Sequence, residues 1–310
     1  MSHPTIPNVK RFAVPAGLLL ALLAATLPAF AGTPLDKTVA AAADGRVQVS
    51  SVAGSIKVTA WNRNEIHIGG TLSRNAEKLA VENTAGGVSI RVVLPHFTSG
   101  NSEGSNLVIQ LPAASQLEVH TVSADIDASG LDGSSVRLES VSGNVALASR
   151  SANIYANAIS GDVGVTGSAP NASIDAHSIS GKLRLENVNG TLRAGSTSGD
   201  IQLTGENRLQ GAKLDTTSGD VRFAAALGSA GDYELHSVSG NVVLALPKIP
   251  AGTFDVSSFS GDIDTNFGPA PQRVSEFAPG KEWHYQNGSG KVDIRIRTLS
   301  GDIRIDATAH

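Results

Sequence analysis

One short phrase, Ser-Gly-(Asp, Asn or Lys)-(Ile, Val or Leu), is written eight times in this chain. Its glycines are Gly143, Gly161, Gly181, Gly199, Gly219, Gly240, Gly261 and Gly301. A worn copy, Ser123-Ala124-Asp125-Ile126, lies upstream. Successive glycines are 18, 20, 18, 20, 21, 21 and then 40 residues apart. Self-similarity at about 20 residues predicts a stack in which each repeat is one structural unit contacting its neighbours.

Aligning the copies on the glycine shows what one unit must be. Seven residues before it stand Val136, Ile154, Ile174, Leu192, Ala212, Tyr233, Phe254 and Ile294; three before it are only Ser, Thr or Ala. The intervening parity carries Arg137, Glu139, Asp175, His177, Lys213 and Asp215. After the glycine the alternation resumes, as in Val163 and Val165 or Leu183 and Leu185. This period of two predicts two half-buried strands per repeat, with Ser-Gly-Asp as the corner between them. Glycine is expected there for its access to positive φ, and Asp or Asn for bonds to nearby amides. A looser second turn follows, such as Asn187-Val188-Asn189-Gly190.

The fold expected is therefore all-β: a parallel β-solenoid of about 20-residue coils, with crossover preference favouring a right-handed wind. A sandwich of antiparallel hairpins is the rival, disfavoured because sandwiches rarely preserve one turn sequence. One column departs from the pattern. Two residues before the glycine, on the wet parity, lie Val141, Ile159, Ile179, Thr197, Thr217, Val238, Phe259 and Leu299. Either local twist turns this column toward shelter, the preferred reading, or a second surface covers it.

Residues 1–31 read as a secretory signal peptide: Lys10 and Arg11, an apolar stretch from Gly17 to Leu27, then Ala29-Phe30-Ala31. The apolar run is too short for a membrane span, so no transmembrane anchor is expected in the mature chain. Residues 32–44 read as a linker and 45–310 as one solenoid domain. Within it, 45–118 are divergent coils, 119–263 regular repeats, 264–290 an aromatic and proline-rich insertion, and 291–310 the final coil. There are no cysteines, which removes disulfides, thiolate metal sites and a lipobox. Cleavage after Ala31 leaves 22 basic against 28 acidic side chains and no basic patch, which argues against nucleic acid as a partner.

The opening Gly45-Arg46-Val47, the strand Ile56-Lys57-Val58-Thr59-Ala60-Trp61 and Leu107-Val108-Ile109-Gln110-Leu111-Pro112 precede the repeats; Gly288-Ser289-Gly290-Lys291 and Thr298-Leu299-Ser300-Gly301-Asp302-Ile303 close them. With these, the chain resembles a bacterial family of β-strand-repeat domains that carries an adhesin label and no assigned function. The resemblance runs from about Gly45 to the C-terminus. It implies a solenoid-like protein of the cell envelope and transfers no catalytic residues.

Candidate sites are few. The corner acids Asp162, Asp200, Asp220, Asp262 and Asp302 could hold Ca²⁺ between stacked carboxylates. Lys182 interrupts them and the glycine-rich Ca²⁺ nonapeptide is missing, so turn-forming Asp is preferred and no metal or other cofactor is expected. His120, His177 and His236 share one outward register, but three repeats separate each from the next, too far to share a zinc ion. The serines lack a nucleophile elbow or a neighbouring base. The doubled spacing before Gly301 holds Phe267, Phe277, Trp283, His284 and Tyr285 in a chain only 4% aromatic. Either these cover apolar surface near the end of the stack, or they form a partner-binding loop.

The expectation is a non-enzymatic exported protein, in the periplasm or at the cell surface, whose repetitive side binds an envelope protein or a surface glycan. The alternative is a periplasmic accessory module scaffolding other envelope proteins. A polysaccharide-cleaving β-helix is remote. It needs paired carboxylates at a set separation, and Asp175, Glu186, Asp215 and Glu234 are scattered.

Overall fold

A computed structural model describes residues 32–84, 86–95, 104–275 and 279–308. The signal-peptide segment and Phe277 lie outside the described residues. The described chain is all-β, a parallel β-solenoid with two strands per coil. The coil of Gly161 is typical. Asn153–Ala158 runs to the corner and Val163–Thr166 leaves it; each pairs in parallel with the coil before and the coil after. Register is strict, so Ile154 lies between Val136 and Ile174.

Alternation explains the core. In Asn153–Ala158, Ile154, Ala156 and Ala158 are buried while their neighbours face out, and the same residues meet their equivalents above and below. The inward columns form one continuous apolar core through the stack. Burying each Leu, Ile or Val contributes roughly 1.5–3 kcal/mol, which suffices without any disulfide. At the corner the alternation breaks. Ile159 and Ser160 are both exposed, Gly161 is buried, and inward facing resumes at Val163.

Order in the sequence is not order in the stack. Ala230–Ser239 pairs with Lys291–Ser300, and Gly252–Ser258 lies beyond that strand on its other side. The last coil in sequence is thus inserted between two earlier ones. The other end does the same: Arg46–Trp61 lies between Gln116–Leu131 and the pair Gly87–Val93 with Ser105–Pro112. Antiparallel strands then close each end. Lys281–Asn287 covers Gly252–Ser258, and Lys78–Thr84 covers Gly87–Val93. Glu65–Ser73 covers Ser105–Pro112 and is itself covered by Gly32–Ala40, so the segment expected to be a linker is largely a strand. Such caps occupy backbone groups that an open parallel edge would present to other chains.

Candidate functional site

The corner edge concentrates the repeated chemistry, and its glycines are there for a different reason from the one expected. None of the eight has positive φ. Each instead lies against the corner before it. A Cβ on Gly161 would meet the carbonyl oxygen of Gly143 well inside 3.0 Å, and one on Gly181, Gly199, Gly219 or Gly240 would meet the preceding corner glycine in the same way. For Gly143 that neighbour is Ala124; for Gly301 it is Gly240, and for Gly261 it is Gly301. Glycine is required because the stacked backbones approach so closely. Left-handed glycines occur at the opposite edge, for example Gly190 at φ 100°, and at the corner edge at Gly54, φ 109°, in the divergent coil before Ala124.

The flanking residues tie successive corners together. The Asp162 carboxylate accepts the Lys182 amide at 2.9 Å, Asn144 accepts that of Asp162 at 3.0 Å, and Asp220 accepts that of Asn241 at 2.8 Å. Each Asp or Asn thus binds the amide of the next coil. Lys182 has no acceptor to offer Asp200; its ammonium lies 3.2 Å from the Asp200 carboxylate instead. Arg184, followed by the Lys182 amide, holds the Asp162 carboxyl below its ordinary range. Serine three residues before the glycine does similar work: Ser178 donates to the Gly161 carbonyl at 3.0 Å and accepts the Gly181 amide at 2.9 Å. Among the described residues, no group of three or more His, Asp or Glu is placed to hold a metal.

Beside this ladder runs the apolar column, and it is not sheltered. Val52, Val122, Val141, Ile159, Ile179, Val238, Leu299 and Phe259 follow one another along the edge, each 38–60% exposed. Thr197 and Thr217 complete the row. The chain bends only after this position, so its side chains keep their outward direction. A repeat of about 4.8 Å makes the row a ridge roughly 40 Å long. Exposed large hydrophobic residues elsewhere in the described chain are two: Val108 and, near Phe259, Val274. Phe259, Leu299 and Val274 line one cleft of about 430 Å³ where the ridge ends.

The insertion packs its rings onto Phe254 of the solenoid strand that it covers. Trp283 and Phe254 are buried, with ring centres 5.5 Å apart, and Phe267 lies 5.5 Å from both. Tyr285 stacks on Trp283 at 5.5 Å, half-buried like Phe267. The Trp283 indole donates to the Pro269 carbonyl at 2.8 Å. His284 is exposed, 3.5 Å from both Asp255 and Glu282. Of the aligned histidines, His120 lies 2.8 Å from both Glu118 and Glu139, and His177 pairs with Asp175. Arg46, then Gln48 and His120, lower Glu118 from 4.5 to about 2.

Residues 45–228 and 223–306 match the Toastrack DUF4097 family. The chain belongs to that family. Among solved structures it is similar to a putative adhesin from Parabacteroides merdae ATCC 43184, with 9% identity and a TM-score of 0.37, over 90% of this chain and 97% of that one. A putative adhesin from Parabacteroides distasonis ATCC 8503 gives 11%, 0.38, 89% and 98%. A putative lipid binding protein from the same strain gives 12%, 0.34, 90% and 98%. Likenesses this weak say nothing about what this chain binds. No curated protein matches it. Among the described residues no helix is long and apolar enough to cross a membrane.

Proposed function

We propose that this Toastrack-family chain is a non-enzymatic protein of the bacterial cell envelope, exported by its N-terminal segment, that binds a partner protein through the side of its stack. The ridge from Val52 to Phe259 carries the reading. Water-exposed apolar surface gathered in one line is unusual for a soluble monomer and marks interaction surfaces. A structural origin is weak, because these side chains lie outside the apolar core and the ladder beside them works through backbone, Ser, Asp and Asn. The row is apolar and partly exposed, so its partner presents an apolar surface. Its backbone is already paired on both sides, which leaves side-chain contact as the mode of binding.

An adhesin and a periplasmic scaffold differ in where this ridge meets its partner. A photo-crosslinking residue at Ile179 in living cells, followed by protease added to intact cells, tests both points. Capture of one discrete protein, lost when Val141, Ile159 and Val238 are changed to Ser, supports the proposal. Digestion by external protease assigns the adhesin role and full protection the periplasmic one. Failure to capture any protein at Ile159 or Ile179 contradicts it.

A further inference from the structure

A second linear feature lies at the far end of the same strands, away from the ridge. Two clefts of about 420 and 570 Å³ meet at Ser173 and Asp175. Together they run across the coils from Arg46 to Glu234, roughly 30 Å at the inter-strand spacing. Sequence explains the depression. Eight residues before the corner glycine, Ser135, Asn153, Ser173 and Thr191 are short and polar, so the floor is low there. Two residues further on, larger planar groups stand along it. Arg137 lies 3.9 Å over the Tyr155 ring, and Arg193 follows Asp175 on the next coil.

The chemistry of this trough restricts its occupant. Every strand crossing it pairs with a coil on each side, as Asn153–Ala158 does, so a peptide could not add as a strand and satisfy its own backbone there. Its cations Arg46, Arg137, Arg193 and Lys213 are balanced by the anions Glu118, Asp175, Asp232 and Glu234, so the trough has no net positive charge to attract a polyphosphate. What remains is a row of hydroxyl, amide, guanidinium and carboxylate groups, one set per coil, with Arg46 paired to Glu118, Lys213 to Glu234 and Asp175 to His177, and with the Tyr155 ring carrying Arg137 on one side. Hydroxyls can donate to and accept from such groups in turn, and an aromatic ring packs against the apolar face of a sugar.

We infer that this trough is a binding site for a linear, hydroxyl-rich glycan strand, held by Tyr155, Asp175 and Arg193 across successive coils. The site is separate from the ridge, so the two assignments stand or fall independently. The inference is one of binding.

Calorimetric titration of the full mature chain with cello-, chito-, xylo- and mannohexaose, and with the matching disaccharides, tests it. At least one hexaose binds, and its disaccharide binds at least tenfold more weakly. Tyr155→Ala weakens that binding at least tenfold. Ser173→Trp, which places a ring on the exposed floor where the clefts meet, does the same while thermal unfolding stays as in the parent. Ile179→Ser, on the ridge, leaves it unchanged. Failure of all four hexaoses, a disaccharide as tight as its hexaose, or binding indifferent to Ser173→Trp would each overturn the inference. Loss of a captured protein partner in Ser173→Trp, with no hexaose bound, would give the trough to a protein and overturn it as well.

Discussion

The two edges of the coil solve the same problem, reversing the chain once per repeat, by unlike means. At the corner edge one solution recurs: a glycine under its neighbour's carbonyl, a serine bridging two coils, and an Asp or Asn accepting the next amide. At the opposite edge each coil has its own. Asn207 is buried there, accepting the Val188 amide at 2.8 Å and donating to the carbonyls of Thr204 and Ala224. One coil further on, Tyr233 donates to Leu209 at 2.6 Å and accepts the Gly228 amide at 3.0 Å. The difference teaches that the repeat is enforced between coils. A corner backbone that passes directly under its neighbour dictates the neighbour's residue. A wider turn with room for side chains does not.

This contrast can be broken at several points. The largest effect belongs to Gly199→Ala, whose Cβ collides with rigid backbone at Gly181. Urea unfolding should show a loss of about 3 kcal/mol. Gly164→Ala in a neighbouring strand, where an added Cβ would come no nearer than 4.0 Å to the Val145 carbonyl oxygen, should cost little. Asn207→Ala at the opposite edge strands several buried backbone groups, and a loss of about 2 kcal/mol is expected in the same assay. Ser178→Ala removes one bridge between corners and should cost about 1 kcal/mol. The parent tolerates Ala158 at the equivalent place, which sets that ceiling.

Titration separates the edges in opposite directions. Asp162 is held below its ordinary range, so its contribution is present above the unfolded value of 3.8 and fades as pH falls through the folded value. Burial raises the Tyr233 phenol above 10.0, against a smaller opposing bond from Gly228. Its contribution is complete below pH 10 and fades as pH rises through the folded value. Asp162→Asn should therefore flatten the acid limb of a stability profile and leave the alkaline limb alone, with Tyr233→Phe doing the reverse. The smallest effect is a gain. Lys182→Asn restores the missing acceptor for the Asp200 amide, and an increase of about 0.5 kcal/mol in unfolding free energy is expected.

Much of this fold was legible because its causes are local. Alternation placed Ile154, Ala156 and Ala158 inside, and the repeated phrase marked every corner. The purpose of the corner glycines was not legible: sequence shows that glycine is needed, and only the stack shows a carbonyl where a Cβ would be. The inserted strand Lys291–Ser300 was equally hidden, since its register against Ala230–Ser239 differs in no local signal from register against Gly252–Ser258. The apolar column was visible, and alternation put it on the wet face; its exposure was misjudged because its apolar character argued for shelter. The trough was signalled faintly by the short polar column of Ser135, Asn153, Ser173 and Thr191. Those residues look like ordinary surface until the coils are placed side by side.

Ile179 and Gly181 stand two residues apart on one corner, one facing water and the other enclosed by the stack. The account holds that the edge is a spine built from the glycines and a binding ridge built from the residues beside them. Urea unfolding of Ile179→Ser and Gly181→Ala, each compared with the parent, tests this division directly. Gly181→Ala should lose about 3 kcal/mol and Ile179→Ser should stay within about 0.5 kcal/mol of the parent. A Gly181→Ala protein as stable as the parent, or an Ile179→Ser protein that unfolds early, would contradict it.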